Sequence, residues 1–437
     1  MNYIRALLLA AGLGAVNNCV VEAQSYSIYS FTTIAGGGNS HPGSADGTNT
    51  AALFNGPNGI AIDARGNLYI GDTNNNTIRM LTPVGTNWVS STLAGLAGAP
   101  GSADGTNSAA RFDLPCGVAL DSSSNIYVAD TAYATIRKVT PVETNWVVST
   151  IAGTAAERGR ADGTNDSTLF EFPVAITVDA NTNVYIADMF GQAIRRIVPI
   201  GTNWVGRSPH YSIRNLDPEG VAVDGAGNVY WADFWRIFLM TPAGTNWPIN
   251  ALCGQEGNLG STDGTNSDAL FNQPHGIVVD GSGNLFIADT FNDTIRKVSR
   301  AGTNWVVTTI GGLPGKRGGA DGINNAARFD HPYGLAMDSA GNLYVADSWN
   351  NTIRQGIPLA AASLLPVFQS VTQSNGLVTL IWSATPGLSY QVQYSTDLTQ
   401  TNWSTLGVPM LATNSALTAI DGIGADPQRF YRVALLP

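Results

Sequence analysis

GPNGIAIDARGNLYIGDTNNNTIR, residues 56–79, decides the fold, because the chain repeats it. It returns as LPCGVALDSSSNIYVADTAYATIR (114–137), FPVAITVDANTNVYIADMFGQAIR (172–195), DPEGVAVDGAGNVYWADFWRIF (217–238), QPHGIVVDGSGNLFIADTFNDTIR (273–296) and HPYGLAMDSAGNLYVADSWNNTIR (331–354). The aspartate closing the first apolar run stands at 63, 121, 179, 224, 280 and 338, which gives spacings of 58, 58, 45, 56 and 58. In copy 1 the stretches 59–63, 68–70, 77–81 and 88–95 are short β-branched or aromatic runs cut by Gly, Asn, Asp and Pro. Such runs specify an antiparallel meander, and none sustains a helical period. One four-stranded sheet cannot bury both of its faces, so the sheets must pack radially. The reading is an all-β, six-bladed propeller.

The fourth strands begin at Trp88, Trp146, Trp204, Trp247 and Trp305, five for six cores. Upstream of every core, Ser30-Phe31-Thr32-Thr33-Ile34-Ala35-Gly36 matches the end of a fourth strand. The N-terminal strand is therefore expected to complete the last blade and remove two open sheet edges. The in-register motif, P-x-G followed by Asp, then G-N-x-Y-x-A-D and I-R, resembles the NHL-repeat family of six-bladed β-propellers. That resemblance assigns residues 24–357 to a propeller.

Outside the repeats the texture changes. Arg5 followed by the apolar run Ala6–Val16 and a polar stretch ending at Ala23 reads as a secretory signal peptide over 1–23, cleaved after Ala23. The apolar run is too short to span a bilayer, so a secreted, extracytoplasmic protein with no membrane insertion is expected. Residues 358–365 read as a linker. Short runs around Trp382, Tyr390, Trp403, Ile420 and Tyr431 then suggest a small β-sandwich over 366–437. This segment is similar to a fibronectin type III module, with Trp382 in the early core position and Tyr431 in the late-strand position; the resemblance implies a spacer or adhesive unit.

Composition removes one class of partner. The net charge is −10, with lysines only at 138, 297 and 316, and nucleic-acid binding needs a basic face. Cys116 and Cys253 fall on strands too far apart to be bridged and are expected as free thiols.

Features present in every copy read as building rules. The A-D aspartates (Asp72, Asp130, Asp188, Asp233, Asp289, Asp347) and the arginines seven residues on (Arg79, Arg137, Arg195, Arg296, Arg354) should pair across strands. Copy 4 has Phe238 instead and should be the least regular. The Asp-Gly-Thr-Asn loops read as tight turns rather than calcium loops, which need several converging oxygens.

Features that differ between copies point to function. The residue between Pro and Gly is Asn58, Cys116, Val174, Glu219, His275 and Tyr333, and in a propeller that position rings the channel mouth. Polar groups gathered in a concave site mark a ligand site. A second varied position, two residues past the A-D aspartate, carries Asn74, Ala132, Phe190, Trp235, Phe291 and Trp349. Four consecutive copies thus place an aromatic side chain where a turn expects a polar one. This crescent suits sugar rings or peptide side chains. The expected partner is a carbohydrate or a peptide; no cofactor and no catalytic residue are implied. The alternative is an enzyme at the channel mouth. In the amidating lyases that share this ring, channel histidines hold zinc, and His275 matches one such position. His275 and Glu219 would then be ligands, but zinc catalysis normally needs three, and His41, His210 and His331 lie in connecting loops. A lactonase-like activity is the other form of this alternative.

Overall fold

In copy 1, Pro57–Ile62, Leu68–Asp72, Thr77–Val84 and Asn87–Gly95 are four antiparallel strands paired in chain order. Side chains from successive strands of one face meet those of the neighbouring sheet, as Ile70, Leu81 and Ile60 do with Ala346 and Ile353 of copy 6. The first turn is set by Asp63. Its Oδ1 accepts the backbone N–H groups of Arg65 and Asn67, both at 2.9 Å, while Oδ2 accepts Asn67 Nδ2 at 2.8 Å and the Tyr69 hydroxyl at 3.1 Å. The D-x-x-x-N-x-Y signature is thus one side-chain-capped turn.

The computed structural model describes residues 4–11, 28–38, 41–208, 217–244, 247–359, 364, 366–397, 403–422 and 429–436. They divide into two units, 30–357 and a second made of 1–29 with 358–437. Among the described residues the first unit holds six sheets, one per copy. Innermost strands abut in the order of the copies, and Pro332–Met337 of copy 6 returns to Pro57–Ile62 of copy 1. In every copy but the third, which has Ala175, a glycine follows Pro-x and permits that approach. A Cβ would lie 2.3 Å from Cys116 O at Gly59, 1.6 Å from His275 O at Gly220, 2.2 Å from Tyr333 O at Gly276 and 2.1 Å from Asn58 O at Gly334. Hydroxyls stitch the same seams: Thr73 Oγ1 donates to Pro115 O at 2.8 Å, Thr131 Oγ1 to Pro173 O at 2.7 Å, and Ser348 Oγ to Pro57 O.

The arginines sit deeper than a simple cross-strand pair. Arg79 is fully buried; its Nη1 donates to Asp72 Oδ2 at 2.9 Å and its Nη2 to Asp46 Oδ1 at 2.6 Å. Further bonds go to the carbonyls of Leu53 and Ala45, and the Phe54 ring lies 5.0 Å from the guanidinium carbon. The Asp-Gly-Thr-Asn loop therefore supplies a second carboxylate, and the Phe that follows supplies an aromatic floor. Arg137, Arg195, Arg296 and Arg354 are held alike between Asp130 and Asp104, Asp188 and Asp162, Asp289 and Asp263, and Asp347 and Asp321. The loop aspartate also accepts from the fourth strand, as Asp46 Oδ2 does from Thr92 N at 3.0 Å.

In copy 6 the fourth strand is Ile28–Ala35, paired beside Thr352–Leu359. Thr33 donates to Asp321 Oδ1 through both N and Oγ1, each at 2.9 Å, so it occupies the place Thr92 holds in copy 1. Copy 4 has no Asp-Gly-Thr-Asn loop before it, and Phe238 holds the place that the arginine has on the third strand of the other copies. There Phe238 stacks on Trp231 with centroids 4.1 Å apart, and Asp233 is met instead by Arg236 at 3.0 Å.

The second unit contains two antiparallel sheets. One orders Ile4–Ala11, Arg429–Leu436, Ser389–Ser395 and Ser404–Leu411; the other is Phe368–Ser374, Leu377–Ser383 and Ala416–Gly422. Trp382, Tyr390 and Tyr431 are fully buried. The apolar part of the expected leader thus lies along Arg429–Leu436; an apolar segment satisfies its backbone at any open sheet edge. The cleavage point after Ala23 and most of the linker residues lie outside the described residues. Cys116 and Cys253 are both free thiols.

Candidate functional site

The six residues between Pro and Gly line one cavity of about 350 Å³ at the centre of the first unit. Each stands at or just before the start of the innermost strand of its copy, ahead of the glycine (Ala175 in copy 3) that packs on the neighbouring strand. Phe172, Met189, Phe234, Gln273 and Phe291 complete the wall above them. Among the described residues of this lining Glu219 is the one acid and His275 the one base, beside the titratable Cys116 and Tyr333.

Glu219 is buried, and its Oε2 lies 3.1 Å from His275 Nε2. His275 Nδ1 is 2.9 Å from the carbonyl of Gln273. A carbonyl only accepts, so Nδ1 carries a proton; Nε2 faces a second acceptor. The two contacts are both satisfied only when one further proton lies between Nε2 and Oε2. Burial works to lower the His275 pKa, but the Glu219 charge and hydrogen bond, with the Gln273 carbonyl, outweigh it and hold the imidazole above its ordinary value. The Tyr333 ring meets His275 edge-on at 4.4 Å. Burial, then the charges of Glu219 and Cys116, push the Tyr333 hydroxyl up to about 12. Burial likewise pushes the Cys116 thiol up to about 11, against hydrogen bonds with Thr131 and Thr73. Neither is a nucleophile at neutral pH.

Of the crescent, Phe291 lines the cavity and the others lie outside its wall. Phe190 and Trp349 are about half exposed and Phe291 somewhat less, while Trp235 is half-buried beside Phe234. Phe190 stacks on Phe172 at 4.8 Å, and Trp349 stacks on His331 at 3.7 Å. These aromatics are neither free platforms nor core. Phe190 and Trp349 each rest one face on the residue that precedes the Pro of their own copy, whereas Phe291 meets His331 of the next copy edge-on at 4.8 Å.

That residue, immediately before Pro, varies as much as the one after it: Gly56, Leu114, Phe172, Asp217, Gln273 and His331. Reading that position in the same way as its neighbour finds Phe172 and Gln273. It also finds a buried group apart from the mouth, where His331 Nδ1 contacts Asp330 Oδ1 at 2.9 Å and the backbone N–H of His331 donates to Asp293 Oδ1 at 3.0 Å. Among the described residues, Asp293, Asp330 and His331 are the one set of three possible metal ligands with atoms within 4.8 Å of one another. The Arg317 guanidinium takes the cation's place there, 3.4 Å from Asp293 and 3.7 Å from Asp330. Glu219 and His275 gain no third ligand from Cys116 or any other described side chain.

A protein-family model describing the NHL repeat matches residues 54–80 and 329–355, in copies 1 and 6. The chain is 29% identical over 323 residues to the protein SUPPRESSOR OF QUENCHING 1, chloroplastic, of Arabidopsis thaliana, which covers 73% of this chain and 26% of that protein. It is 28% identical over 272 residues to NHL repeat-containing protein 2 of Bos taurus, covering 58% and 32%. The chain thus spans about a quarter to a third of the length of the curated relatives it matches. Among solved structures, a protein of unknown function from Bacteroides thetaiotaomicron aligns with a TM-score of 0.60 at 21% identity, over 76% of each chain. An auxiliary nutrient binding protein from Bacteroides ovatus aligns at 0.58 and 15%, over 77% and 78%. The matched repeats and the fold shared with these structures support an NHL-repeat β-propeller.

Proposed function

We propose that this is a secreted binding protein: a closed, six-bladed NHL-type propeller whose cavity and aromatic rim hold a carbohydrate or peptide, followed by a fibronectin type III-like module. One observation carries the reading. Glu219, Tyr333, Asn58 and Gln273 line the cavity, and Glu219 Oε1, the Tyr333 hydroxyl and the two side-chain amides have no hydrogen-bond partner among the described residues. Polar heads left open in an aromatic-walled cavity are the usual makings of a ligand site. The six sheets with abutting first and last copies support the closed ring. The nutrient-binding role carried in the name of the Bacteroides ovatus protein fits a binding rather than a catalytic propeller. Secretion rests on the leader over 1–23: cleavage after Ala23 gives a mature chain starting at Gln24, which intact-mass spectrometry of the secreted protein reads directly.

The test is a glycan and peptide array probed with the mature protein. Trp349→Ala should weaken a hit by about 2 kcal/mol, the size of a hot-spot truncation, while melting changes little because the ring is half exposed. A silent array, or a hit indifferent to both Trp349→Ala and Tyr333→Ala, overturns the proposal.

A further inference from the structure

The cavity also says something about the charge of what it binds. Glu219 is a buried carboxylate lining the cavity; His275 meets its Oε2, and its Oε1 has no side-chain partner among the described residues. Around it stand aromatic rings, with Tyr333 against His275 and Phe172, Phe234 and Phe291 above. Among the described residues no guanidinium or ammonium lines the space, and the chain's net charge is −10. An anion would face a carboxylate with no basic side chain among the described lining but His275 to receive it. A neutral ligand would leave Glu219 and its proton as they are. A small organic cation gains on each count, through an ion pair with Glu219, through the faces of the aromatic rings, and through the field of an acidic protein.

We infer that the mouth cavity selects ligands bearing an ammonium group, with Glu219 as its counter-ion and the aromatic walls as its cage. This rests on the mouth being a binding site, as proposed above, and adds the charge class of the ligand. The geometry of His275 gives the inference a signature. In the unliganded pair a proton lies between His275 Nε2 and Glu219 Oε2. When the ligand ammonium donates to Glu219, that proton is no longer held and leaves for solvent, with His275 neutral on its Nδ1–H···O=C Gln273 hydrogen bond. Protons and the ligand compete for one carboxylate, so affinity rises with pH as His275 gives up its charge. The other titratable groups beside His275 stay neutral in that range, because Tyr333 is pushed up to about 12 and Cys116 to about 11. An alkylammonium keeps its own proton to about pH 10.

Isothermal titration calorimetry of the mature protein with 2-phenylethylammonium, 2-phenylethanol and phenylacetate tests this. At about pH 8 the ammonium should bind at least about tenfold more tightly than either isostere, and Glu219→Gln should reduce that preference to about twofold. Lowering the pH from about 8 to about 6 should weaken ammonium binding several-fold. Titrations near the middle of that range in two buffers of different ionisation heat should show proton release approaching one per ligand. The wild-type proton release decides the matter even where Glu219→Gln fails to fold. The inference is overturned by an alcohol or carboxylate that matches the ammonium, by a preference that survives Glu219→Gln, by binding without proton release, or by no binding of the three. Array hits that depend on Tyr333, alongside no ammonium preference, would leave the binding role standing and remove this inference alone.

Discussion

Copies 1 and 4 solve the same packing problem by different means. In copy 1 a buried arginine is clasped by two aspartates and floored by a phenylalanine; in copy 4 two stacked aromatic rings fill the space. The spacing before copy 4 is 45 residues where its neighbours have 58 or 56, and the missing stretch is the Asp-Gly-Thr-Asn loop. The outer aspartate and the arginine are lost together. That joint loss teaches that the loop exists to close the arginine's coordination rather than merely to turn the chain. A guanidinium without its second carboxylate would be a buried cation half compensated, and an apolar filling is then the better solution.

The comparison breaks or sharpens on substitution. The largest effect is expected from Arg137→Met, which strands Asp130 without its cation and should cost about 3–5 kcal/mol in urea unfolding. Placing an arginine in copy 4 with Phe238→Arg should also destabilise by about 3 kcal/mol or more, because no loop carboxylate waits for it and the Trp231 stack is lost; a neutral result would detach the arginine from its loop. Asp104→Asn should cost only about 1 kcal/mol, since that carboxylate is half exposed and screened. An equal loss for Asp104→Asn and Arg137→Met would make the outer aspartate the main partner.

Smaller still is a pH effect at the mouth. The folded state holds the His275 proton more tightly than the unfolded chain does. Its contribution to stability is thus full below about pH 6.5 and lost as pH rises through the folded value. Melting temperatures from about pH 6 to 8.5 should decline in the wild type and flatten in Glu219→Gln. Asp72, Asp130 and Asp347, raised to about 6 chiefly by burial, also lower stability as pH rises, over a more acidic range, and cancel between the two proteins. Equal slopes would remove Glu219 as the cause. The smallest change is expected for Phe190→Ala, a loss of about 0.5–1 kcal/mol from one exposed stack, read from the same melting curves.

How much of this was legible beforehand follows from what repeats. The meander, the A-D aspartate pairing and the strand at 28–35 were readable because a six-fold recurrence separates rule from accident. The mouth residues were readable for the opposite reason, since Glu219, His275 and Tyr333 break a position that is otherwise small or apolar. The double clasp was not read, although copy 4 lacks the loop and the arginine at once, because the two lie 33 residues apart in the other copies. Phe172 and Gln273 were missed because variation was read on one side of the Pro only. The stack of Trp349 on His331 could not be foreseen: which face a turn aromatic covers depends on a loop whose path no local periodicity fixes.

The strand Ile28–Ala35 has a consequence for the order of events in the cell. It leaves the ribosome, and under the secretion proposed above would cross the membrane, ahead of every copy, yet its hydrogen-bonding partners belong to the last. Thr33 waits for Asp321, 288 residues downstream. Until then the preceding sheets can form in turn while the first blade lacks its neighbour on one side and the last lacks its outer strand. The final register is settled by the segment that was born first. Timekeeping is thus written into the topology: the early strand is a ticket held until the last copy arrives, and a chain truncated before Thr352 lacks the strand beside which it is redeemed.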